Sequence, residues 1–328
     1  MASLFGLRAF SGLVSEMNAL AQETDAEGLA RWTVDELARK IGFECAWYGW
    51  AQIDDSGVTI HANATLNLPG DYFSFWTSMA EQDLLAARLL KEPGAIATYD
   101  RHSGDQNDGM TALADRYGLG KIATVMNHRE GRLASFYLSS YRLGQRSRGF
   151  EPQEQEFLQC AIEQLGHAMK LSALSRDSMV EDGSISILVN ESGIGILGLG
   201  NLREQLGDFF REWQGDLLPE QLRSLIAYPG QHLLPDRGIV VTCERAPDYQ
   251  NMGLRRLTIR RMTPVDFLTV REREVGRLLA GGHSHKDVAR MLGVAPNTVR
   301  NQTQSIYEKT GVNSRAELAS LFAGNHGS

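Results

Sequence analysis

Residues 284–310 read SHKDVARMLGVAPNTVRNQTQSIYEKT. Ser284 is a good N-cap residue and Asp287 follows three positions later, the two ends of a capping box. Val288, Met291 and Leu292 give the segment one apolar face, and Gly293 supplies the positive φ on which helices stop. Pro296, whose fixed φ suits the first position of a helix, opens the next one. Val299 and Ile306 are its apolar face. Asn297, Arg300, Asn301 and Gln304, spaced i, i+3, i+4 and i+7, are the opposite one. Two short helices joined by the tight turn Gly293-Val294-Ala295 make a helix-turn-helix, whose second helix enters the major groove of double-stranded DNA.

The flanking sequence completes a four-helix module over residues 264–328. Upstream, Thr269 and Glu272 form a second capping box. That helix carries Val275, Leu278 and Leu279 inward and stops at Gly281-Gly282. Downstream, Ser314 and Glu317 open a last helix with Leu318 and Leu321 inside. Arg pairs with guanine and Asn or Gln with adenine, so Arg300, Asn301, Gln304 and Asn297 are the expected base contacts. Thr298, Lys286 and Lys309 suit phosphates, which position the module without reading sequence. His283 and His285 have no Cys or carboxylate at zinc-site spacing, so they read as surface groups near the DNA backbone and no metal is expected.

Four separated segments carry a resemblance: Leu268-Thr-Val-Arg-Glu-Arg-Glu-Val275, Lys286-Asp-Val-Ala-Arg-Met-Leu-Gly-Val294, Thr298-Val-Arg300 and Ile306-Tyr-Glu-Lys309. In order and distance they resemble the LuxR-type helix-turn-helix family over roughly residues 264–323. The resemblance implies a tetrahelical DNA-binding domain that works as a homodimer, its fourth helix contributing to the dimer, with Arg300, Asn301 and Gln304 facing bases. It leaves room for RNA polymerase as a further partner. Some positions depart from the family. Gly276 stands where Leu is usual, a change expected to weaken the helix by about 1 kcal/mol and to remove a core side chain. Ala295 replaces the usual Ser N-cap, and Gln302, Thr303 and Thr310 replace a His and two Leu.

The charge of the chain is uneven. Of 33 basic and 40 acidic residues in 328, eight and six fall after Met262. The module is therefore +2, and the first 262 residues, with 25 basic against 34 acidic, are −9. The overall −7 argues against nucleic acid only for the front part. Three well-separated cysteines exclude a disulfide scaffold and suit a reducing, cytoplasmic setting. No run of about 18 apolar residues offers a membrane span, and residues 1–10 do not read as a secretory signal.

Residues 1–178 read as α+β: helices over Phe10–Gln22 and Ala26–Ile41, the second capped by Asp25, then strands over Phe43–Ile53, Val58–Ala64, Lys121–His128 and Arg132–Arg142. Tyr72–Glu92 is expected to be helical. Pro152–Ser175 is expected as a helix whose stripe Leu158, Ile162, Leu165, Met169 forms a core or a dimer seam, the seam preferred. This order of elements resembles a GAF-like or autoinducer-binding-like sensor, an α/β/α sandwich around a small-molecule pocket. Tyr72, Trp76 and Asp83 resemble the aromatic pair and Asp of the acyl-homoserine-lactone domains. Leu84 stands where that family has Pro, however, and the spacing is shorter, so no lactone ligand is inferred. Residues 183–262 resemble a shortened PAS-like module: a hairpin over Ser184–Asn190 and Gly193–Leu199, helices near Leu202–Trp213 and Pro219–Ala227, and strands Arg237–Cys243 and Gly253–Arg261.

Trp47, Trp50, Tyr72 and Trp76 are the candidate ligand contacts. Strand alternation sets Cys45, Trp47 and Gly49 on one face and Tyr48 and Trp50 on the other. Aromatic side chains favour a flat or hydrophobic effector over a sugar. They also make an ordinary core, and both readings stand. Gly193, Gly195 and Gly198 match GxGxxG but sit in a hairpin rather than opening a helix, so no dinucleotide is expected. Gly118-Leu-Gly-Lys121 is no phosphate loop, and residues 1–60 do not read as a phosphoacceptor receiver. His128, His167 and the cysteines form no visible nucleophile–base arrangement. The chain is expected to be a multidomain, cytoplasmic, one-component transcription regulator without cofactor and not an enzyme. Two alternatives remain: a sensor portion that binds a partner protein, or one that turns over a small molecule.

Overall fold

The computed structural model describes residues 6–54, 57–92, 94–103, 105–127, 134–177, 184–199, 202, 210, 213, 215–246 and 254–323. The chain opens with α1 (Leu7–Glu23) and α2 (Ala26–Leu37), and Asp25 caps α2 by accepting from the Gly28 N–H at 2.7 Å, as expected. Then follow β1 (Cys45–Asp54), β2 (Gly57–Leu66), α3 (Tyr72–Thr77), α4 (Leu84–Lys91), β3 (Ala97–Asp100), α5 (Asp108–Tyr117), β4 (Leu119–Met126), β5 (Ser135–Leu143) and α6 (Pro152–Asp177).

The five strands form one antiparallel sheet in the order β2-β1-β5-β4-β3. Each face carries a core. Ala46, Tyr48 and Trp50 of β1 pack with Leu29, Leu37, Leu158 and Ile162 from α2 and α6. Cys45, Trp47 and Ala51 pack on the other face with Tyr72, Trp76, Leu85, Leu89 and Leu113 from α3, α4 and α5. The result is the expected α/β/α sandwich. Gly49 is required at its centre, because a Cβ there would collide with the Ala62 carbonyl of the paired strand.

Three expectations change. Tyr72–Glu92 is two helices, because Asp83 accepts from the Leu85 and Ala86 N–H groups (2.8 and 3.1 Å) and starts a new N-terminus. The helix α5, capped by Asn107, and the short strand β3 were not foreseen. The stripe of α6 is not a free seam: Leu158, Ile162, Leu165 and Met169 are at most 1% exposed within this chain and belong to the first core.

A second five-stranded sheet has the order β7-β6-β10-β9-β8. Its strands are β6 (Ile185–Val189), β7 (Gly195–Leu197), β8 (Gly230–Leu234), β9 (Ile239–Arg245) and β10 (Arg255–Arg261); α7 (Glu220–Arg223) precedes β8. The hairpin around Gly193 forms as expected: Gly193 lies in its turn, Gly195 opens β7 and Gly198 follows that strand. β8 was not foreseen, and most of the expected helix Leu202–Trp213 and His128 lie outside the described residues. The chain divides into two compact units, Met1–Asp177 with Ser186–Gly230 and Cys243–Leu257, and Ser178–Ile185 with Gln231–Thr242 and Thr258–Ser328.

In the second unit α8 (Val270–Ala280), α9 (His285–Leu292), α10 (Pro296–Thr310) and α11 (Arg315–Ala323) pack around Val275, Leu279, Val288, Val299, Ile306, Leu318 and Phe322. Both capping boxes, Thr269/Glu272 and Ser284/Asp287, are formed. Before α11 the box is half made: Ser314 Oγ accepts from Glu317 N–H, while the Glu317 carboxylate reaches the Asn313 N–H instead. Met291, expected inside, is 53% exposed. Gly276 leaves no void. The Phe322 ring fills its place so closely that a Cβ would lie 2.6 Å from Cζ. Bulk missing from α8 is returned by α11.

Candidate DNA interface and aromatic cluster

The geometry of the interface begins at Gly293, whose φ of 66° ends α9 in the left-handed region. The Val294 N–H then donates to the Ala289 carbonyl at 3.0 Å, which tightens the turn into α10. Ala295 makes no side-chain cap, as its identity requires, and Pro296 occupies the first turn. On α10, Val299, Thr303, Ile306 and Thr310 are buried, the two threonines satisfying their hydroxyls on the Val299 and Ile306 carbonyls at 2.7 Å. Buried threonine is thus tolerated where leucine is usual, because the helix backbone accepts its proton.

The opposite face is open. Asn297, Thr298, Arg300, Asn301 and Gln304 are all exposed, and so is Lys286 on α9. A groove of about 390 Å³ runs along this side, lined by His285 of α9 and by Arg300, Gln304, Tyr307 and Glu308 of α10. Asn297 and Asn301 share the helix face but do not line the groove.

Lys309, an expected phosphate contact, is paired within the module. Its Nζ donates to both Glu272 oxygens at 2.8 and 2.7 Å, and Ser305 Oγ donates to Oε1 at 2.7 Å. The same carboxylate accepts from the Thr269 N–H at 2.8 Å. Burial works to raise the Glu272 carboxyl, but Lys309, Ser305 and Thr269 outweigh it and hold it at about 2. One carboxylate therefore caps α8 and ties that helix to α10. Sequence spacing could not have found this: Glu272 and Lys309 lie on different helices, and each already had a reading as a cap and as a surface cation.

The four candidate ligand residues divide between the two faces of the first sheet. Trp47, Tyr72 and Trp76 come together, with ring centroids 5.5 Å (Trp47–Tyr72) and 4.8 Å (Trp47–Trp76) apart. Trp50 is on the other face against Phe136 at 5.2 Å, so it cannot share a cavity with them. Tyr137 and Tyr141 of β5, not singled out beforehand, join the Trp47 group. Strand alternation sets them on one face, and Tyr137 lies 5.1 Å from Trp47. Polar ends are mostly satisfied: Trp47 Nε1 donates to Asn63 Oδ1 (3.1 Å), Trp76 Nε1 to Asp83 Oδ2 (2.9 Å), and the Tyr72 and Tyr141 hydroxyls share a hydrogen bond of 2.7 Å. The buried Tyr137 hydroxyl has no partner among the described residues. Burial pushes the Tyr72, Tyr137 and Tyr141 phenols up, so they are neutral donors at any physiological pH.

The crystal structure of Escherichia coli SdiA aligns over 96% of this chain and 97% of that one at 14% identity, with a TM-score of 0.38. The phycoerythrobilin-bound GAF domain of a cyanobacterial phytochrome aligns over 50% of this chain and 96% of that one at 15% identity and a TM-score of 0.37. A putative HTH-type transcriptional regulator of Aeromonas salmonicida is 44% identical over 61 residues, 19% of this chain and 31% of that protein. The transcriptional regulatory protein UhpA of Escherichia coli is 44% identical over 54 residues, 16% and 28% of the two chains. This chain thus spans less than a third of the length of these curated relatives. Residues 266–322 match the bacterial regulatory proteins of the luxR family, and the C-terminal module is therefore a LuxR-family helix-turn-helix domain.

Proposed function

We propose that the chain is a one-component transcription regulator that binds a two-fold-symmetric DNA site as a homodimer and responds to a small hydrophobic or aromatic effector. In this reading residues 1–178 are the sensor, 183–262 a connecting PAS-like module and 264–328 the DNA-binding domain. The carrying observation is the open face of α10, where Arg300 lines an exposed groove on a helix held by buried contacts on its other side. Arg300, Asn301, Gln304 and Asn297 read bases; Thr298 and Lys286 contact phosphates. Trp47, Tyr72 and Trp76 contact the effector, with the Tyr137 hydroxyl as a hydrogen-bond donor to it. Trp50 is core. The regulator acts in the cytoplasm and catalyses nothing.

The DNA reading is tested with Arg300→Ala in the full chain. Specific binding should weaken by about 1–3 kcal/mol while binding to random duplex changes little. Equal loss on all sequences would make Arg300 a phosphate contact and remove the base-reading role.

A further inference from the structure

A carboxylate on a surface that meets a polyanion opposes every DNA sequence unless it helps to select one of them. Glu308 is such a carboxylate. It is exposed on α10, four residues beyond Gln304 and eight beyond Arg300, and lines the same groove. Other acids of the module are engaged elsewhere: Glu272 with Lys309, Glu274 with Arg271, Asp287 with Arg290 and Asp266 with Arg260. Glu308 Oε1 instead accepts from the Gln304 side-chain Nε2 at 3.0 Å.

The chemistry of this contact fixes an orientation. A glutamine amide can turn either its oxygen or its NH₂ towards a neighbour, but an ionised carboxylate only accepts. The end of Gln304 beside Glu308 must therefore be the NH₂. One of its two hydrogens is held there; the other, and the Oε1 acceptor, are left for the groove. Adenine shows the major groove a donor beside an acceptor, N6–H and N7, which an amide held this way can match. Guanine shows two acceptors, O6 and N7. A mobile amide can point its NH₂ at both; one held by a carboxylate sets its oxygen against one of them.

We propose that Glu308 is a positioning residue for DNA reading, holding the Gln304 amide in the orientation that selects adenine over guanine at one operator position. This rests on the DNA-binding reading above. The test is selection from a randomised duplex library by the full chain, by Glu308→Ala, by Glu308→Gln and by Gln304→Ala, with helical content checked by circular dichroism. Glu308→Ala should lower the adenine preference about tenfold at the position that Gln304→Ala also flattens, leave the other positions unchanged, and raise affinity for random duplex. Glu308→Gln, whose own oxygen can still accept, should keep part of the preference. Unchanged selectivity in Glu308→Ala, equal loss at every position, or loss at a position that Gln304→Ala leaves alone would each overturn the proposal while sparing the DNA reading. If the wild-type chain enriches no motif, the DNA reading itself falls and the proposal with it.

Discussion

Replacing Lys309 by Met removes the ammonium from Glu272 and keeps most of the side-chain volume. The carboxylate then retains Ser305 and the Thr269 N–H but loses its only ionic partner among the described residues. The magnitude follows from the Glu272 carboxyl at about 2 against an ordinary 4.5. At about 1.4 kcal/mol per pH unit the whole shift corresponds to about 3 kcal/mol. Lys309 is 37% exposed, so solvent screens it and part of the shift belongs to the neutral hydrogen bonds. About 1–2 kcal/mol is the expected loss. The sign is that of a depressed carboxyl. The stabilisation is complete above pH 5 and fades as pH falls from about 4.5 through 2, so the variant should lose stability at neutral pH and differ least in acid. Urea unfolding of the full chain followed at 222 nm, at pH 7 and pH 3, measures both. A salt titration of DNA binding supplies the discriminating readout, because each phosphate contact contributes about 0.9 to the slope. Lys309→Met should leave that slope unchanged. Wild-type stability combined with a slope smaller by about one would refute the argument and return Lys309 to the DNA backbone.

Gly276→Ala should destabilise the helical module by about 1–3 kcal/mol, since its Cβ meets the Phe322 ring at 2.6 Å. Phe322→Ala should cost about 3–5 kcal/mol, and Gly276→Leu combined with Phe322→Ala should recover part of it; additive losses in denaturant unfolding would mean that the two sites do not share one volume. In thermal-shift screening, an effector that raises the melting temperature of the wild type should lose that effect in Trp76→Phe and keep it in Trp50→Phe. Equal responses in the two variants would place the effector elsewhere than the Trp47 face of the sheet.

The helical module was legible in detail because its signals are local. Caps at Thr269 and Ser284, the stop at Gly293 and most apolar positions of each helix lie within a few residues of what they control. Its errors were those of contacts distant in sequence. Gly276 read as a lost core residue because nothing in α8 announces that Phe322, 46 positions later, occupies the space. The Glu272 partner of the exposed Lys309 is not legible because it is 37 residues away. In the N-terminal domain, alternation places Trp47 and Trp50 on opposite faces, and the sheet separates them, although as part of one aromatic stretch both read as contacts for one ligand. Nothing in the sequence singles out Tyr137 and Tyr141, because a strand carries no mark of which neighbour it pairs with. Only the pairing of Gly49 with Tyr137 and Cys45 with Tyr141 brings their rings to the Trp47 face.

The module's charge of +2 overstates what it can offer to DNA. Arg271 pairs with Glu274, Arg290 with Asp287 and Lys309 with Glu272, and Arg315 donates to the Leu279 and His283 carbonyls. Half of its basic residues thus already have partners within the module: Lys309 and Arg315 link different helices, Arg271 also reaches the Leu292 carbonyl, and Arg290 pairs within its own helix. Arg300 and Lys286 are exposed with no ion-pair partner among the described residues, and Glu308 lines the groove with Arg300, which reduces the positive charge there. Electrostatic attraction by counterion release scales with the phosphates neutralised, so one module gains little of it. Such a module is a poor sequence-independent binder, which leaves a larger share of its free energy to base contacts. Joining two modules makes the second contact intramolecular and multiplies affinity without adding charge. A weak, selective reading head is therefore one whose occupancy depends steeply on how two copies are held together. In the proposed homodimer, how the two modules are held together is the quantity that effector binding would change.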